Sequence, residues 1–376
     1  MIYKEFKGKQ LSALGMGCMR LPTKGEDKAI DVDASKKMIA YAIEKGINYF
    51  DTAWMYHRYQ SETVMGEILS EYPRDSFYLA TKFPGNMPEH VDKVEEIFEA
   101  QLKKCRVEYF DFYLLHNVSE HDIDAYLDEK YGILEYLCQQ KKNGRIRHLG
   151  FSTHGSLQTI ERFLKAYGNE MEFCQIQLNW LDWNFENAHA KVALLDRWGI
   201  PVWVMEPVRG GHLCKLEEKH AARLNALAPD RTLAEWAFRF VQSIPQVKMT
   251  LSGMSNFEQL QENIDTFGEN RPLSEDEIHL LLEIGHEMTC AGTLPCTSCR
   301  YCIDRCPQGI NIPWFIEYYN GQIYSGGEFK APLSFRMLPE AQRPSGCIGC
   351  RACEEVCPQN IKISEAMADL ASKLKY

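Results

Sequence analysis

The chain of 376 residues is 45% hydrophobic and 25% charged and carries a formal net charge of −10. Its length suits one large domain plus a smaller one, and its composition is that of an ordinary globular protein. The acidic balance argues against nucleic acid or an anionic membrane as the main partner, because phosphate recognition needs basic patches.

The amino terminus, MIYKEFKGKQLSALGMG, has no apolar stretch of signal-peptide length, and no apolar run reaches the roughly 18 residues of a membrane span. A cytoplasmic protein without a membrane span is expected. Residues 11–21 (LSALGMGCMRL) read as a first strand. Apolar runs rich in β-branched and aromatic residues follow at 47–54, 76–83, 109–116, 146–152, 173–180, 200–207 and 247–253. Each closes on polar or turn residues, as buried strands do. Helical-period segments such as DASKKMIAYAIEKG, VDKVEEIFEAQLKKCRV and TLAEWAFRFVQ lie between them. Eight strand–helix units in about 260 residues predict an α/β fold closed as a parallel (β/α)8 TIM barrel. An open doubly wound sheet usually begins with a three-glycine phosphate turn, and G-M-G-C-M-R lacks the third glycine. Residues 271–288 predict a further helix whose S-E-D-E start marks a capped end. The domain boundary is placed near residue 285, with the barrel over 1–285 and a smaller, mostly helical domain over 286–376.

Of fourteen cysteines, eight fall into two runs. The first is Cys296, Cys299, Cys302 and Cys306, followed by Pro307; the second is Cys347, Cys350, Cys353 and Cys357, followed by Pro358. In a reducing compartment grouped cysteines read as metal ligands rather than disulfides. Zinc commonly takes separated C-x2-C pairs, not a triple at that spacing closed by Cys-Pro. The pattern resembles the run of bacterial ferredoxins, in which the fourth cysteine of each run serves the other cluster. That resemblance implies two [4Fe–4S] clusters in a ferredoxin-type domain that relays electrons. One would sit on Cys296, Cys299, Cys302 and Cys357, the other on Cys347, Cys350, Cys353 and Cys306. Cys18, Cys105, Cys138, Cys174, Cys214 and Cys290 read as small buried hydrophobes.

Asp51, Lys82 and His116 end three consecutive predicted strands, and Tyr56 follows on the loop after the first of these; barrel enzymes place their sites at that end. The motifs G-M-G-C-M-R-L-P (15–22), D-T-A-W-M-Y-x4-S-E-x3-G (51–66), L-A-T-K (79–82), L-L-H-N (114–117) and I-R-H-L-G-F-S (146–152) occur in order. With them, most of the first 270 residues resemble the aldo-keto reductases. The resemblance implies a catalytic set of Asp51, Tyr56, Lys82 and His116 that reduces a carbonyl or related unsaturated small molecule. Tyr56 would donate the proton, its phenol lowered from an ordinary value of about 10 by the Lys82 cation, which Asp51 holds. His116 would orient and polarise the carbonyl, and NAD(P)H would bring hydride. The family pattern further implies Ser152 and Gln175 on the nicotinamide carboxamide, and Arg209 and Gly210 over the pyrophosphate. Ser252, Gly253, Asn256, Gln259, Glu262 and Asn263 would take the adenosine end.

Three positions depart from that pattern. Residues 252–263 contain no Lys or Arg, which favours NADH over NADPH, since a 2′-phosphate wants a basic partner. Met205 stands where an aromatic residue commonly stacks on the nicotinamide, and Thr153 where an asparagine accompanies Ser152. Clusters pass single electrons whereas hydride moves two, so their coupling needs a flavin or a substrate reduced stepwise. Two alternatives therefore stand beside the nicotinamide reductase. One is a nicotinamide-independent reductase fed through the clusters by ferredoxin or another electron-transfer protein; the other is a non-enzymatic redox or electron-transfer subunit. Loops at 54–60, 85–90, 117–124 and 179–187 are expected to line the mouth, where Trp54, Trp180 and Trp183 suggest a flat or apolar ligand.

Overall fold

The computed structural model describes residues 1–25, 29–85, 87–120, 122–290, 292–294, 296, 302–325, 327–357 and 361–375. Eight parallel strands close into a barrel in chain order: β1 (Leu14–Gly17), β2 (Tyr49–Asp51), β3 (Tyr78–Phe83), β4 (Phe110–Leu115), β5 (Ile146–Thr153), β6 (Cys174–Gln177), β7 (Val202–Met205) and β8 (Val247–Ser252). The ring is completed by β8 on β1, with Thr250 opposite Leu14. The (β/α)8 expectation holds. Strands covered on both faces read as continuous apolar runs, and every residue of β4 is buried.

One expected strand divides. Residues 11–21 hold three structures: Lys9–Ser12 forms an antiparallel hairpin with Tyr3–Phe6, Leu14–Gly17 is β1, and Cys18–Arg20 turns as a short 3-10 helix. The break falls at Ala13, whose N–H bonds to the Ile2 carbonyl while the Ser12 hydroxyl donates to the Leu14 carbonyl at 2.8 Å. A continuous apolar run conceals this change of direction because both pieces are buried.

Large side chains from residues at or near the strand starts fill the barrel interior. Ring centroids of Phe112 and Phe173 lie 5.3 Å apart and those of Phe173 and Trp203 4.8 Å apart, and Phe6 of the hairpin meets Trp203 at 5.1 Å. Burying each such side chain contributes about 1.5–3 kcal/mol. The fill needs Gly15 in β1, where a Cβ would come within 2.8 Å of the Leu251 and Met249 side chains. With that end packed apolar, polar groups collect at the strand C-termini.

By packing, the chain divides into two units. One comprises Met1–Asn179, Asn187–Pro207 and Ala234–Leu273, the other Trp180–Glu186, Val208–Leu233 and Ser274–Tyr376. No single cut at residue 285 reproduces that division. In the second unit the helix Glu275–Cys290 starts with a reciprocal cap: Ser274 N–H donates to Glu277 Oε2 at 2.8 Å, and Glu277 N–H donates to Ser274 Oγ at 3.3 Å. Two backbone donors are thereby satisfied. Trp180 is 1% exposed, and a Cβ on Gly285 of that helix would sit 3.6 Å from its ring. The Trp180 indole is therefore spent on packing and does not serve the ligand-reading role expected of it. Helices Ile312–Ser325 and Ile363–Lys373 build a separate core from Phe315, Ile316, Phe335, Ile363 and Leu370, together with Cys302 and Cys353. Among the described residues no helix is long and apolar enough to cross a membrane.

Candidate active site and cysteine cavity

Strand register explains why Asp51 and Lys82 meet. Asp51 at the end of β2 pairs with Ala80 of β3, and the two-residue alternation of a strand returns Lys82 to the same face, one step nearer the rim. Lys82 Nζ donates to Asp51 Oδ1 at 2.5 Å and to the Thr52 carbonyl at 2.8 Å, with both side chains almost fully buried. The same ammonium lies 4.9 Å from the Tyr56 ring centroid. His116, directly after β4, meets Tyr56 edge-on with centroids 6.0 Å apart. The four expected residues thus share one end of the barrel.

Their electrostatics follow from burial and one cation. Burial works against the Lys82 cation, but Asp51 and Tyr56 outweigh it and raise its pKa, so the lysine stays charged. Burial also pushes the Tyr56 phenol above its usual value, while Lys82 pulls against that rise. This corrects the expectation of a phenol brought below 10: loss of water around the ring exceeds the pull of a lysine already shared with Asp51. His116 is held down to about 3, first by burial and then by the Lys82 charge, so it is a neutral imidazole at physiological pH. Its Nδ1 is buried without a hydrogen-bond partner among the described residues.

A second, buried layer holds these groups in place. Gln101 Nε2 donates to the Lys82 carbonyl at 2.9 Å and to Glu62 Oε1 at 2.7 Å, and the Thr81 hydroxyl donates to the same Glu62 oxygen at 2.7 Å. Lys104 Nζ sits 3.4 Å from Glu62 Oε2 and 3.5 Å from the Trp54 ring centroid, tying the Tyr56 loop to the network. Past Tyr56 the chain makes a left-handed turn through three consecutive non-glycine residues, His57, Arg58 and Tyr59, with φ of 49°, 53° and 69°. Each costs on the order of 1 kcal/mol or more. His57 helps hold the turn, its Nε2 accepting from Leu21 N–H at 3.0 Å.

The expected nicotinamide positions fall into three groups. Ser152 and Gln175 are partners across β5 and β6. Among the described residues Gln175 Oε1 is buried with no hydrogen-bond partner, while its Nε2 meets the Met205 sulfur at 3.7 Å. Ser152 Oγ accepts from Asn117 N–H at 2.9 Å and keeps its own proton to give. An unsatisfied acceptor beside an available hydroxyl donor fits a carboxamide. Thr153, where an asparagine was anticipated, is spent on the Val118 carbonyl at 2.5 Å. In the second group, Asn263 Nδ2 donates to Ser252 Oγ at 3.0 Å, Asn256 caps the helix Phe257–Thr266 at Gln259 N–H, and Gln259 Oε1 accepts from Ser255 N–H. Gly253 is exposed, and Glu262 lies on that same helix. The third group belongs to the other unit. Arg209 is buried against Asp182, its Nε 3.1 Å from Oδ1, and Gly210 takes a φ of 63° that favours glycine.

In the second unit Cys306, Cys347, Cys350 and Cys353 line one small cavity that opens to solvent. These are the four that ferredoxin resemblance groups together across the two runs. Ile310, Ile312, Ile363 and Met367 form apolar walls, and Ile310 N–H donates to Cys306 Sγ at 3.4 Å. Thiolates on an apolar cavity, with an N–H directed at sulfur, suit an iron–sulfur cluster. Of the other four, Cys302 is buried and Cys296 and Cys357 are half-buried, while Cys299 lies outside the described residues.

Comparison with known proteins agrees with both halves. The model of the aldo/keto reductase family matches residues 13–285. The chain belongs to that family. A 4Fe-4S dicluster domain matches residues 295–363, so the protein also carries an iron–sulfur domain. A probable aldo-keto reductase 1 from Glycine max is 30% identical over 216 residues, which cover 54% of this chain and 58% of that protein's length. An uncharacterized oxidoreductase of Bacillus subtilis, YqkF, is 27% identical over 301 residues, covering 72% of this chain and 92% of the relative. Among solved structures, the holo form of aldo-keto reductase AKR11C1 from Bacillus halodurans matches at 25% identity with a TM-score of 0.59, covering 74% of this chain and 93% of that one. The thermostable aldo-keto reductase Tm1743 shares the fold, with a TM-score of 0.62 over 76% of this chain and all of that one, at 21% identity. Family and relatives place the chain among oxidoreductase enzymes.

For an aldo/keto reductase barrel, sequence reading missed one residue at the rim. A Cβ on Gly253 would lie 3.1–3.2 Å from Cβ, Cγ and Cδ of Arg20, so the arginine stem crosses the glycine. Arg20 is exposed. It brings positive charge to the segment 252–263 that has none of its own. The signal was the arginine in G-M-G-C-M-R, but nothing local joins it to residue 253.

Proposed function

We propose that the protein is an iron–sulfur reductase of the aldo/keto type, in which Tyr56 gives a proton to a carbonyl or similarly polarised unsaturated small molecule. The observation that carries this reading is the Lys82 ammonium, buried 2.5 Å from Asp51 and 4.9 Å from the Tyr56 ring centroid. A donor must hold its proton until the substrate needs it, and a phenol raised by burial does so. Once the proton leaves, the Lys82 charge stabilises the phenolate. Neutral His116 orients the oxygen that is being reduced and offers hydrogen bonding rather than a second proton.

A reduced nicotinamide supplies hydride when bound, and iron–sulfur clusters supply single electrons. Ser152 and Gln175 would hold the carboxamide, and Arg20 would lend charge to the dinucleotide phosphates. Cys296, Cys299, Cys302 and Cys357 would hold one cluster, Cys306, Cys347, Cys350 and Cys353 the other. The barrel over 1–285 would carry the chemistry and the domain over 286–376 the electron relay. Flavin content after anaerobic purification measures whether a flavin joins the two.

The test is Tyr56→Phe. Turnover is expected to fall by about 10²–10⁴-fold, with iron content and circular dichroism unchanged. Undiminished turnover at full iron content removes Tyr56 from the proton-donor role.

A further inference from the structure

The cysteine cavity has a rim unlike the rest of this acidic chain. Arg305 and Arg351 both line the cavity and both are exposed, and no carboxylate is among the residues lining it. Neither guanidinium has an ion-pair partner among the described residues. Glu354, the nearest acid in sequence to Arg351, accepts from Ser364 N–H at 2.8 Å and feels the Arg351 charge only from beyond ion-pair distance. Ile348 lines the same cavity and stands 62% exposed, an apolar side chain facing water. Cys350 is the exposed one of the seven described cluster cysteines. The backbone that presents this edge is held in left-handed conformations, φ 67° at Gly349 and 61° at Arg351. Nothing lies within 4 Å of where a Gly349 Cβ would be, so the edge is open. A strained non-glycine residue beside an open, apolar, positively charged edge marks a functional surface rather than a packing one.

We infer that this rim is the docking surface for a small acidic one-electron carrier protein of the ferredoxin kind, and that the cluster on Cys306, Cys347, Cys350 and Cys353 is the port where electrons enter. The inference rests on the reading of those cysteines as cluster ligands. Charge decides the partner. On a chain of net charge −10, a basic carrier would be drawn broadly over the surface, whereas an acidic one is repelled except where unpaired arginines stand. A local positive spot on a negative body therefore selects orientation as well as partner. Ile348 supplies an apolar contact on the same cavity as the two arginines, and interfaces commonly combine apolar and charged groups in this way. Each encounter oxidises the carrier by one electron and reduces the cluster by one; no bond or proton is exchanged. Two encounters deliver two electrons to the chain, one at a time.

The test uses the full chain with its clusters, purified anaerobically, and an acidic two-cluster bacterial ferredoxin as the probe. Affinity is measured by calorimetry from low to moderate salt, and cluster reduction is followed separately with photoreduced free flavin. For Arg305→Glu/Arg351→Glu, binding is expected to weaken about tenfold or more, with a flatter salt dependence. Iron content and reduction by free flavin stay at wild-type levels. If the charge-reversed variant loses iron, Arg305→Gln/Arg351→Gln takes its place with the same expected direction. Unchanged affinity and salt dependence at full iron content overturn the docking surface while leaving the cluster reading intact. A wild-type chain that holds no iron under anaerobic conditions overturns the cluster reading itself, and the port with it.

Discussion

His116 is a site residue whose chemistry the surroundings change strongly. Its imidazole is held down to about 3, first by burial and then by Lys82, against an ordinary value near 6.5. The folded state therefore keeps it neutral where the unfolded chain takes up a proton. Its contribution to stability is fully present above about 6.5 and is lost progressively as pH falls toward 3. The pH profile of kcat/KM is accordingly expected to show no His116 limb between pH 5 and 8. Urea midpoints of His116→Gln should decline less steeply below pH 6 than those of the wild type. Arg20 acts at the same scale. Arg20→Ala removes the arginine whose stem lies over Gly253 and is expected to weaken NADH and NADPH binding about tenfold, as loss of one charge-assisted contact does; fluorescence titration measures it. Equal affinity in wild type and variant would show that the arginine faces solvent only.

At the scale of elements, helix packing near the site leaves little slack. In the helix Ser61–Leu69 a Cβ on Gly66 would meet the Lys104 carbonyl at 2.2 Å and the Cys105 backbone at 2.7 Å, in the helix Val94–Cys105. Backbone atoms cannot yield as the tip of a side chain can. Gly66→Ala should therefore push the two helices apart at a cost of about 1–3 kcal/mol, read from denaturant unfolding. The displaced helix carries Lys104 and Gln101, which bond to Glu62 and to the Lys82 carbonyl. Activity is expected to fall with stability, because the layer that positions Lys82 moves with the helix.

For the whole molecule, the two halves hold together by different means. The barrel is filled by an aromatic interior. The core around Phe315, Phe335 and Leu370 is small and counts two of the proposed cluster ligands, Cys302 and Cys353, among its buried residues. Where ligands are also core residues, metal binding is part of the folding free energy. Removing iron with a chelator under reducing conditions is expected to open the region of helices Ile312–Ser325 and Ile363–Lys373 to protease and leave the barrel resistant. Limited proteolysis with mass spectrometry follows this. Uniform resistance after iron loss would mean that the core stands without its clusters.

The sequence by itself determined the eight strands, the reciprocal cap at Ser274 and Glu277, and the cysteine spacing. Each is a local pattern: a buried strand is an apolar run, a cap is two residues three apart, and a cluster run is a fixed spacing. Asp51, Lys82 and His116 were legible as polar residues closing apolar runs, and Tyr56 through the motif that follows Asp51. Only the tertiary structure decided what depends on groups distant in the chain. It divided 11–21 into hairpin, strand and turn, because burial conceals a bend inside one apolar run. It committed Trp180 to packing against Gly285. It laid Arg20 across Gly253, where the first and last strands of the barrel pair to close the ring. It also set the sign of the Tyr56 shift, since loss of water and the pull of a lysine shared with Asp51 oppose each other, and their balance is a property of the assembled site.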